Sequence, residues 1–516
     1  MDIQRLIEAL KSPSFYPDNP AEVRIAETHI SYLFFTGKYV YKIKKPVDFG
    51  FLDFTTLDKR RFFCRQEVRL NSRLSPDVYL GVEEIKETDG RLSFGGSGET
   101  VEYAVKMREL PREGMLTRLV SEGLATPELM DRIAFKIALF HREAETNHAI
   151  AEFGNISAIK KNIQENFIQT VHYIGKSISK EQYDFISERT KDFIEKNKGV
   201  FARRKTEGKI RDCHGDMHMG SICIEGECVH IFDCIEFNDR FRYSDTAADI
   251  AFLTMDLEFN DRFDLSAALL KSYIRHSEDD DLPLLLRFYK SYRAYVRGKV
   301  ISFLLDEEEV PEEQKKNALA SAKGYFSLAY SYLMQPTLII MSGLMGTGKT
   351  AAARLLGEAI GAAIIRSDVV RKKLAGISQD EHRYDDYGKG IYIKEFSEKT
   401  YTEVHREALQ YLVAGRPVIL DASYRSRAER ERAASIAREA GARFFIIECL
   451  CDEETVKFRL TGRMGEQEAS DGRWELYKLQ KSDFEEVTDN EGRLIRIDTS
   501  KPLYESAELI LKVLGR

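Results

Sequence analysis

The sequence predicts two architectures in one chain, making it a multidomain protein of α+β and α/β class. An α+β region, strands early and helices late, is followed by an α/β region built on a parallel sheet. Three observations predict this. The 516 residues exceed what one ordinary core holds. Strand-like alternation is concentrated before residue 108, and helical spacing dominates 112–332. From Leu338 on, short apolar runs alternate with helical stretches, the pattern of parallel strands joined by crossover helices. The expected domains are 1–332 and 333–516. Within the first, a strand-rich part is expected at about 25–108 and a helical part at about 112–332.

Hydrophobic residues make up 43% and charged residues 31%, with a formal net charge of −7. Such a chain folds into packed domains and is a poor general binder of nucleic acid or anionic membrane, though a local basic groove is compatible with it. The stretch Met1-Asp2-Ile3-Gln4-Arg5-Leu6 has no apolar signal core, and no apolar run reaches the length of a membrane span, so a cytoplasmic protein is expected. Of seven cysteines, Cys213, Cys223, Cys228 and Cys234 share one neighbourhood, and Cys449 stands near Cys451. None forms a Cys-x-x-Cys pair. Reduced thiols are the expectation, and a zinc site in the first group is the alternative.

Taken in order, a short helix at Ile3–Leu10 precedes a strand at Glu27–Phe35, a turn at Thr36-Gly37-Lys38, and a second strand at Tyr39–Lys45. Strand alternation puts Lys42 and Lys44 on one face, opposite Tyr41 and Ile43. A helix over about Leu57–Leu74 carries Glu67 among apolar residues. Further strands are expected at Val78–Val82 and Glu102–Met107. Helices follow from Pro127 through Phe201. A strand-bearing segment at Asp212–Asp233 interrupts them before the helices Phe288–Leu304 and Lys316–Leu333.

Next comes Gly343-Leu344-Met345-Gly346-Thr347-Gly348-Lys349-Thr350, which is Gly, four residues, Gly-Lys-Thr. A strand-like run precedes it and a helix start follows, as a phosphate-binding P-loop requires. The glycines let backbone N–H groups approach an anion, and the helix N-terminus adds a favourable dipole. Lys349 would reach the β- and γ-phosphates of ATP, and Thr350 would ligate Mg²⁺. Asp368 lies just past the strand Ala363–Arg366, with Arg371 one helical turn on. Asp421 ends the strand Val418–Leu420, the Walker B placement, where it would bind the Mg²⁺ water shell or orient a base. Arg459 and Arg463 lie one helical turn apart at a polar glycine-bearing stretch, Thr461–Glu466, expected to be a lid whose arginines cover the transferring phosphoryl group. The Asp-then-Arg spacing at 368 and 371 resembles small P-loop kinases of the Zeta-toxin, polynucleotide-kinase and gluconate-kinase kinds. That resemblance implies Asp368 as the group activating an acceptor hydroxyl and Arg371 as a substrate grip.

In the first domain, His214-Gly215-Asp216-Met217-His218-Met219-Gly220-Ser221 precedes an apolar run ending Ile231-Phe232-Asp233. This pattern resembles the catalytic core of the aminoglycoside phosphotransferase family, over roughly residues 25–300. The resemblance implies a bilobal protein-kinase-like fold. It makes Asp216 the acceptor of the substrate proton and Asp233 a Mg²⁺ ligand. Lys42 or Lys44 would sit on the α/β-phosphates with Glu67 holding that lysine; Lys42, deeper in the apolar strand, is slightly favoured. The family has Asn where this chain has Ser221, a weaker metal ligand, and Thr28-His29-Ile30-Ser31 stands where a Gly-rich loop is usual. His218 is expected to be structural, and Asp245 and Asp249 to cap and brace.

The fusion as a whole resembles a bacterial family of two-domain proteins with this order. It implies an ATP- and Mg²⁺-dependent kinase acting on a hydroxyl of a small molecule, bifunctional where both nucleotide-binding domains act. Two alternatives stand: a P-loop domain acting on a nucleic-acid 5′-hydroxyl, and a first domain that only senses nucleotide or presents substrate.

Overall fold

The computed structural model describes residues 3–308, 310–378, 390–462, 474–503, 510–511 and 513–514. Contacts group the chain into two compact units. One is Met1–Ile163 with Lys196–Tyr289, the other Gln164–Glu195 with Lys290–Arg516. The expected 332/333 boundary falls just ahead of the second unit's first strand. Two helical segments before that boundary group with the second unit's sheet.

The first unit opens with the helix Ile3–Lys11 and six strands. These are β1 (Arg24–Glu27), β2 (Ser31–Phe35), β3 (Tyr39–Lys44), β4 (Tyr79–Thr88), β5 (Arg91–Phe94) and β6 (Glu99–Arg108). They form one antiparallel sheet in the order β1-β2-β3-β6-β4-β5. On one face Phe34, Tyr41 and Ile43 pack against Leu6, Ile7 and Leu10 of the first helix. Each such side chain removed from water stabilises by roughly 2 kcal/mol. The other face, with Val40 and Val105, packs against Cys64 of the helix Leu57–Asn71. Lys42 and Lys44 lie on this second face, as alternation requires.

Two details differ from expectation. The run Glu27–Phe35 is not one strand. Thr28 N–H donates to Ser31 O at 2.9 Å and Ser31 N–H donates to Thr28 Oγ1 at 3.0 Å, which turns the chain back on itself. The strand from Tyr79 runs on to Thr88 and returns through β5. Asp89 and Gly90, with φ of 49° and 76°, form the turn, and that Asp-Gly pair was the available signal.

Helices dominate after residue 115, led by Pro127–Glu143. Four short strands follow: β7 (Ile210–Asp212), β8 (Ile222–Glu225), β9 (Cys228–Ile231) and β10 (Tyr243–Asp245). β7 pairs with β10 and β8 with β9, both antiparallel. The helix Thr246–Phe259 is buried along nearly its whole length. Arg204 is fully buried and donates to both carboxylates of Asp245 and Asp279, at 2.7–2.9 Å.

The second unit's sheet consists of β11 (Thr337–Ser342), β12 (Ala363–Arg366), β13 (Val418–Asp421), β14 (Arg443–Leu450) and β15 (Arg493–Asp498). Its order is β12-β13-β11-β14-β15 and every pair is parallel. All six residues of β11 are buried, as in a strand covered on both faces. The fold class is therefore the expected one, an α+β region followed by an α/β region built on a parallel sheet. The helix Lys349–Ile360 ends at Gly361, whose φ is +64°, and a Cβ there would meet Ser327 O at 2.4 Å. Ser327 Oγ donates to Glu358 O at 2.6 Å and Gln182 Nε2 to Ala359 O at 2.9 Å. Side chains from both preceding helical segments thus cap the last turn of this helix.

Removing Arg204 leaves the buried Asp245 without its cation and Asp279 with only Lys209, at 3.7 Å. Arg204→Met is expected to cost about 3–5 kcal/mol in urea unfolding, and a loss below about 1 kcal/mol would contradict this account. A second expectation concerns His405, buried on the helix Lys394–Val413 beside Tyr424. Burial, aided by Arg432, pushes its imidazole down from 6.5 to about 4. The folded chain then holds fewer protons than the unfolded chain between those values. Its contribution is full above pH 6.5 and is lost as pH falls toward 4, roughly 3 kcal/mol in all. The acid slope of unfolding over that window should flatten in His405→Gln.

Candidate functional site

In the second unit, β11 and β13 are neighbours in register, with Met341 opposite Asp421. The turn after β11 and the end of β13 therefore open at the same sheet edge, the edge where open α/β folds bind ligands. Thr350, in the first turn of Lys349–Ile360, donates its hydroxyl to Asp421 Oδ2 at 2.8 Å. Gly343 starts the turn at φ +140°, and a Cβ there would lie 2.7 Å from Cys449 O, so no side chain fits. The turn is closed by Thr347 Oγ1 donating to Leu344 O at 2.8 Å, and Lys349 Nζ donates to the same carbonyl at 2.7 Å. Gly346 and Gly348 both take positive φ, at 76° and 81°.

Two further elements hold the turn. Met345 N–H donates to Gln480 Oε1 at 2.6 Å, from the helix Trp474–Ser482. Thr499, just past β15, donates its hydroxyl to Thr347 O at 2.7 Å and accepts Arg459 Nη2 on its own carbonyl at 2.6 Å. Arg459 Nη1 lies 3.4 Å from Gly346 O, so this arginine stands at the P-loop. Arg463 and most of the expected lid lie outside the described residues.

The strand ends bring in the remaining groups. Arg366 closes β12 opposite Asp421, and its Nε is 3.4 Å from Asp421 Oδ2. Asp368 follows two residues on, half-buried, in the first turn of Ser367–Leu374. Arg371 is buried. It donates to Ile391 O at 2.8 Å and Ser397 Oγ at 3.1 Å and lies over the Tyr392 ring. Its guanidinium is thus engaged with neighbouring secondary structure. Arg366, Gln480 and Thr499 were not singled out in the sequence. Position at the end of a parallel strand for Arg366, and just past one for Thr499, was the usable signal, and Gln480 had none.

In the first unit, Lys42 Nζ lies 2.8 Å from Glu67 Oε1 and 2.8 Å from Asp233 Oδ1. Lys44 Nζ lies 2.6 Å from Glu67 Oε2 and also pairs with Glu236. Both lysines therefore share Glu67, and only Lys42 reaches Asp233. Burial pushes the Lys42 ammonium down, but Asp233 and Glu67 together hold it well above its usual range. The Lys42 ammonium holds the Asp233 carboxyl at about 2, against the opposing effect of desolvation. Burial alone would raise Glu67, yet the two lysines bring it below its ordinary value. Burial raises Glu236, with Lys44 opposing. Asp233 has φ +64°, and its side chain is 59% exposed while Oδ1 meets the buried Lys42 ammonium.

Asp216 sits in a braced loop. His214 N–H and Gly215 N–H donate to the two oxygens of Asp249, each at 2.9 Å. His141 bridges Asp249 and Tyr273, at 3.1 and 2.7 Å. His214 Nε2 lies 2.9 Å from Phe232 O, which links the loop to the residue before Asp233. Asp216 is half-buried, with Oδ2 3.7 Å from His218 Nε2. Asp245 caps the helix Thr246–Phe259 by accepting Ala247 N–H.

Ser221 is buried. Its hydroxyl donates to His218 O at 2.8 Å and accepts His218 N–H at 3.2 Å, so it turns into its own loop. Its carbonyl, by contrast, accepts Phe232 N–H at 3.0 Å, beside Asp233. Among the described residues the cluster with metal-ligand proximity is His141, Cys213 and Asp249, not the four cysteines of the alternative zinc reading. Its atoms are already hydrogen-bonded, Cys213 to Ser244 O at 3.4 Å, and burial pushes the Cys213 thiol far up. The set reads as a brace for the Asp216 loop.

No helix among the described residues is long and apolar enough to cross a membrane. Residues 338–487 match a family model described as an AAA domain. Over 448 residues the chain is 32% identical to an uncharacterised protein of Mycobacterium tuberculosis, covering 86% of each chain. A Mycobacterium bovis protein matches to the same extent. Among solved structures, the chain is similar to a gluconokinase from Sinorhizobium meliloti, 21% identical over 36% of this chain and 94% of that one, with a TM-score of 0.27. It is also similar to a choline/ethanolamine kinase family protein from Mesorhizobium loti, 11% identical over 64% and 98%, with a TM-score of 0.36.

The Lys42–Asp233 contact makes its own prediction. A depressed carboxylate contributes stability above its ordinary value, near 4, and loses it as pH falls toward 2. In Lys42→Met the Asp233 carboxyl should titrate back near 4 by ¹³C NMR. A value still near 2 would show that another group holds it.

Proposed function

We propose that this chain, which belongs to the family of those mycobacterial proteins, is an ATP- and Mg²⁺-dependent phosphotransferase acting on a small-molecule hydroxyl. The P-loop unit is its principal site. The observation that carries this reading is the 2.8 Å contact between Thr350, in the first turn of the helix that follows the glycine turn, and Asp421 at the end of the neighbouring strand β13. A hydroxyl and a carboxylate oxygen are hard donors of the kind Mg²⁺ takes, and together they leave room in its shell for phosphate oxygens and water. Thr350 and Asp421 would hold the ion, which when bound neutralises charge on the β- and γ-phosphates.

The chain's own groups divide the remaining work. Lys349 exchanges its contact with Leu344 O for phosphate oxygens, and the turn's N–H groups cradle them. Asp368 accepts the proton of the acceptor hydroxyl as its oxygen bonds to the γ-phosphorus and the bond to ADP breaks. Arg459, already at the turn, faces the charge that develops on the transferring group. Arg371 shapes the acceptor side through the segment it anchors, and Arg463, outside the described residues, keeps the charge-dispersing role its sequence position suggests.

The first unit carries a second, aminoglycoside phosphotransferase-like nucleotide site. Lys42 contacts the α/β-phosphates, Asp233 holds Mg²⁺ and Asp216 takes the substrate proton. The Glu67–Lys42–Asp233 chain of contacts supports it. The satisfied hydroxyl of Ser221 favours a site with one metal carboxylate over the fuller family set, and keeps a nucleotide-sensing role as the second reading. The fully buried Lys44 supports the fold of this site without touching nucleotide. We place the protein in the cytoplasm, with all seven cysteines free. Small molecules are the preferred acceptors over nucleic-acid ends, given the net charge of −7.

The test is phosphoryl transfer from labelled ATP to a metabolite and oligonucleotide panel. Lys349→Ala and Asp368→Asn should each lower P-loop-dependent transfer by about 10² or more. Asp216→Asn should remove only transfer that survives Lys349→Ala. Transfer unaltered in all three variants would reject both assignments, and transfer confined to oligonucleotide ends would reject the small-molecule reading.

A further inference from the structure

Lys44 is the least expected charge in the first unit. Its side chain has no exposed surface, so it touches no ligand. Yet it lies between two buried carboxylates, Glu67 and Glu236, with the Phe54 ring 4.8 Å from its Nζ. Glu67 sits on the helix Leu57–Asn71 and also holds Lys42. Glu236 lies three residues after Asp233, in the segment leaving β9. A second bond ties that segment to the same helix, since Cys234 N–H donates to Asn71 Oδ1 at 2.8 Å. Between the apolar strand and these two ties, Asp233 holds a left-handed backbone, φ +64°, that a non-glycine residue adopts only when its surroundings impose it.

Without Lys44 the arrangement is untenable. Glu67 and Glu236 would face each other in a site closed to water, and each raises the other's proton affinity. Glu236, on an irregular segment, is freer to leave than Glu67, which a helix and Lys42 retain. Its departure would release the segment just downstream of Asp233.

We propose that Lys44 is a positioning residue for the first unit's phosphate site, acting through Glu236 to fix the segment that presents Asp233 and through Glu67 to aim Lys42. The unit therefore builds its site with two lysine–glutamate pairs, one facing the ligand and one sealed behind it. The nucleotide part of this inference rests on the reading of the first unit as an ATP site, and its structural part does not.

The experiment uses the full chain carrying Lys349→Ala, which silences the P-loop, and reads Mg·ATP binding by calorimetry with hydrogen exchange at residues 234–236. Lys44→Met should weaken Mg·ATP binding by about tenfold or more and speed exchange in that segment. Lys44→Met with Glu236→Leu removes both buried charges together and should return binding to within about threefold of the parent, with exchange slowed again. Lys42→Met should weaken binding with no rescue by Glu236→Leu. Binding and exchange in Lys44→Met equal to the parent overturn the proposal, as does a loss that persists in the double variant. If the parent itself binds no Mg·ATP, the first unit is not a nucleotide site. The positioning role is then decided by exchange alone, and unchanged exchange at 234–236 in Lys44→Met overturns it.

Discussion

The parallel pairing of β11 with β13 is the constraint on which the second unit depends. A one-residue slip would turn Asp421 from the sheet edge into a covering layer. In the observed register it meets the first turn of the P-loop helix, and Thr350 closes the contact. Buried residues fill β11 and β13 throughout, so the register is set by apolar packing on both faces. The polar site is thereby placed by residues that take no part in its chemistry.

The two units solve one problem, binding a polyanion, by different physics. The P-loop relies on backbone N–H groups and a helix terminus, partial charges that need no counterion when nothing is bound. The first unit relies on full charges. Two ammonium groups and three carboxylates meet behind β3, most of them out of contact with water. Such a cluster holds only while every charge has its partner, which explains why the helix Leu57–Asn71, β3 and the segment after Asp233 converge there.

Much of this was legible in the sequence, for identifiable reasons. The P-loop is a contiguous motif whose geometry follows from its glycines, and Asp421 ends an apolar run that could only be a buried strand. Period-two alternation placed Lys42 and Lys44 on one face but could not rank them. What separates them is depth, and depth depends on Phe54 and Glu236, which the chain brings in from other elements. The same limit applies to Arg371, whose spacing from Asp368 was visible while Ile391, Ser397 and Tyr392 around it were not. Ser221 shows the converse. The residue type marked it as a weaker metal ligand than Asn, but its turn into the His218 loop needed the backbone trace. Breaks in strands, as at Thr28, follow from local side-chain to backbone bonds that compete with pairing.

The caps on the last turn of the P-loop helix bear on how this chain is made. Gln182 and Ser327 reach Ala359 and Glu358 from far back in the sequence. Residues 164–195 interrupt the first unit, whose own chain is complete at Tyr289. During synthesis the first unit can therefore close while residues 164–195 wait for partners not yet translated. Phe167 and Phe185 lack the rings of Tyr295 and Tyr330 until those residues emerge, so the second unit assembles around a segment that left the ribosome long before it.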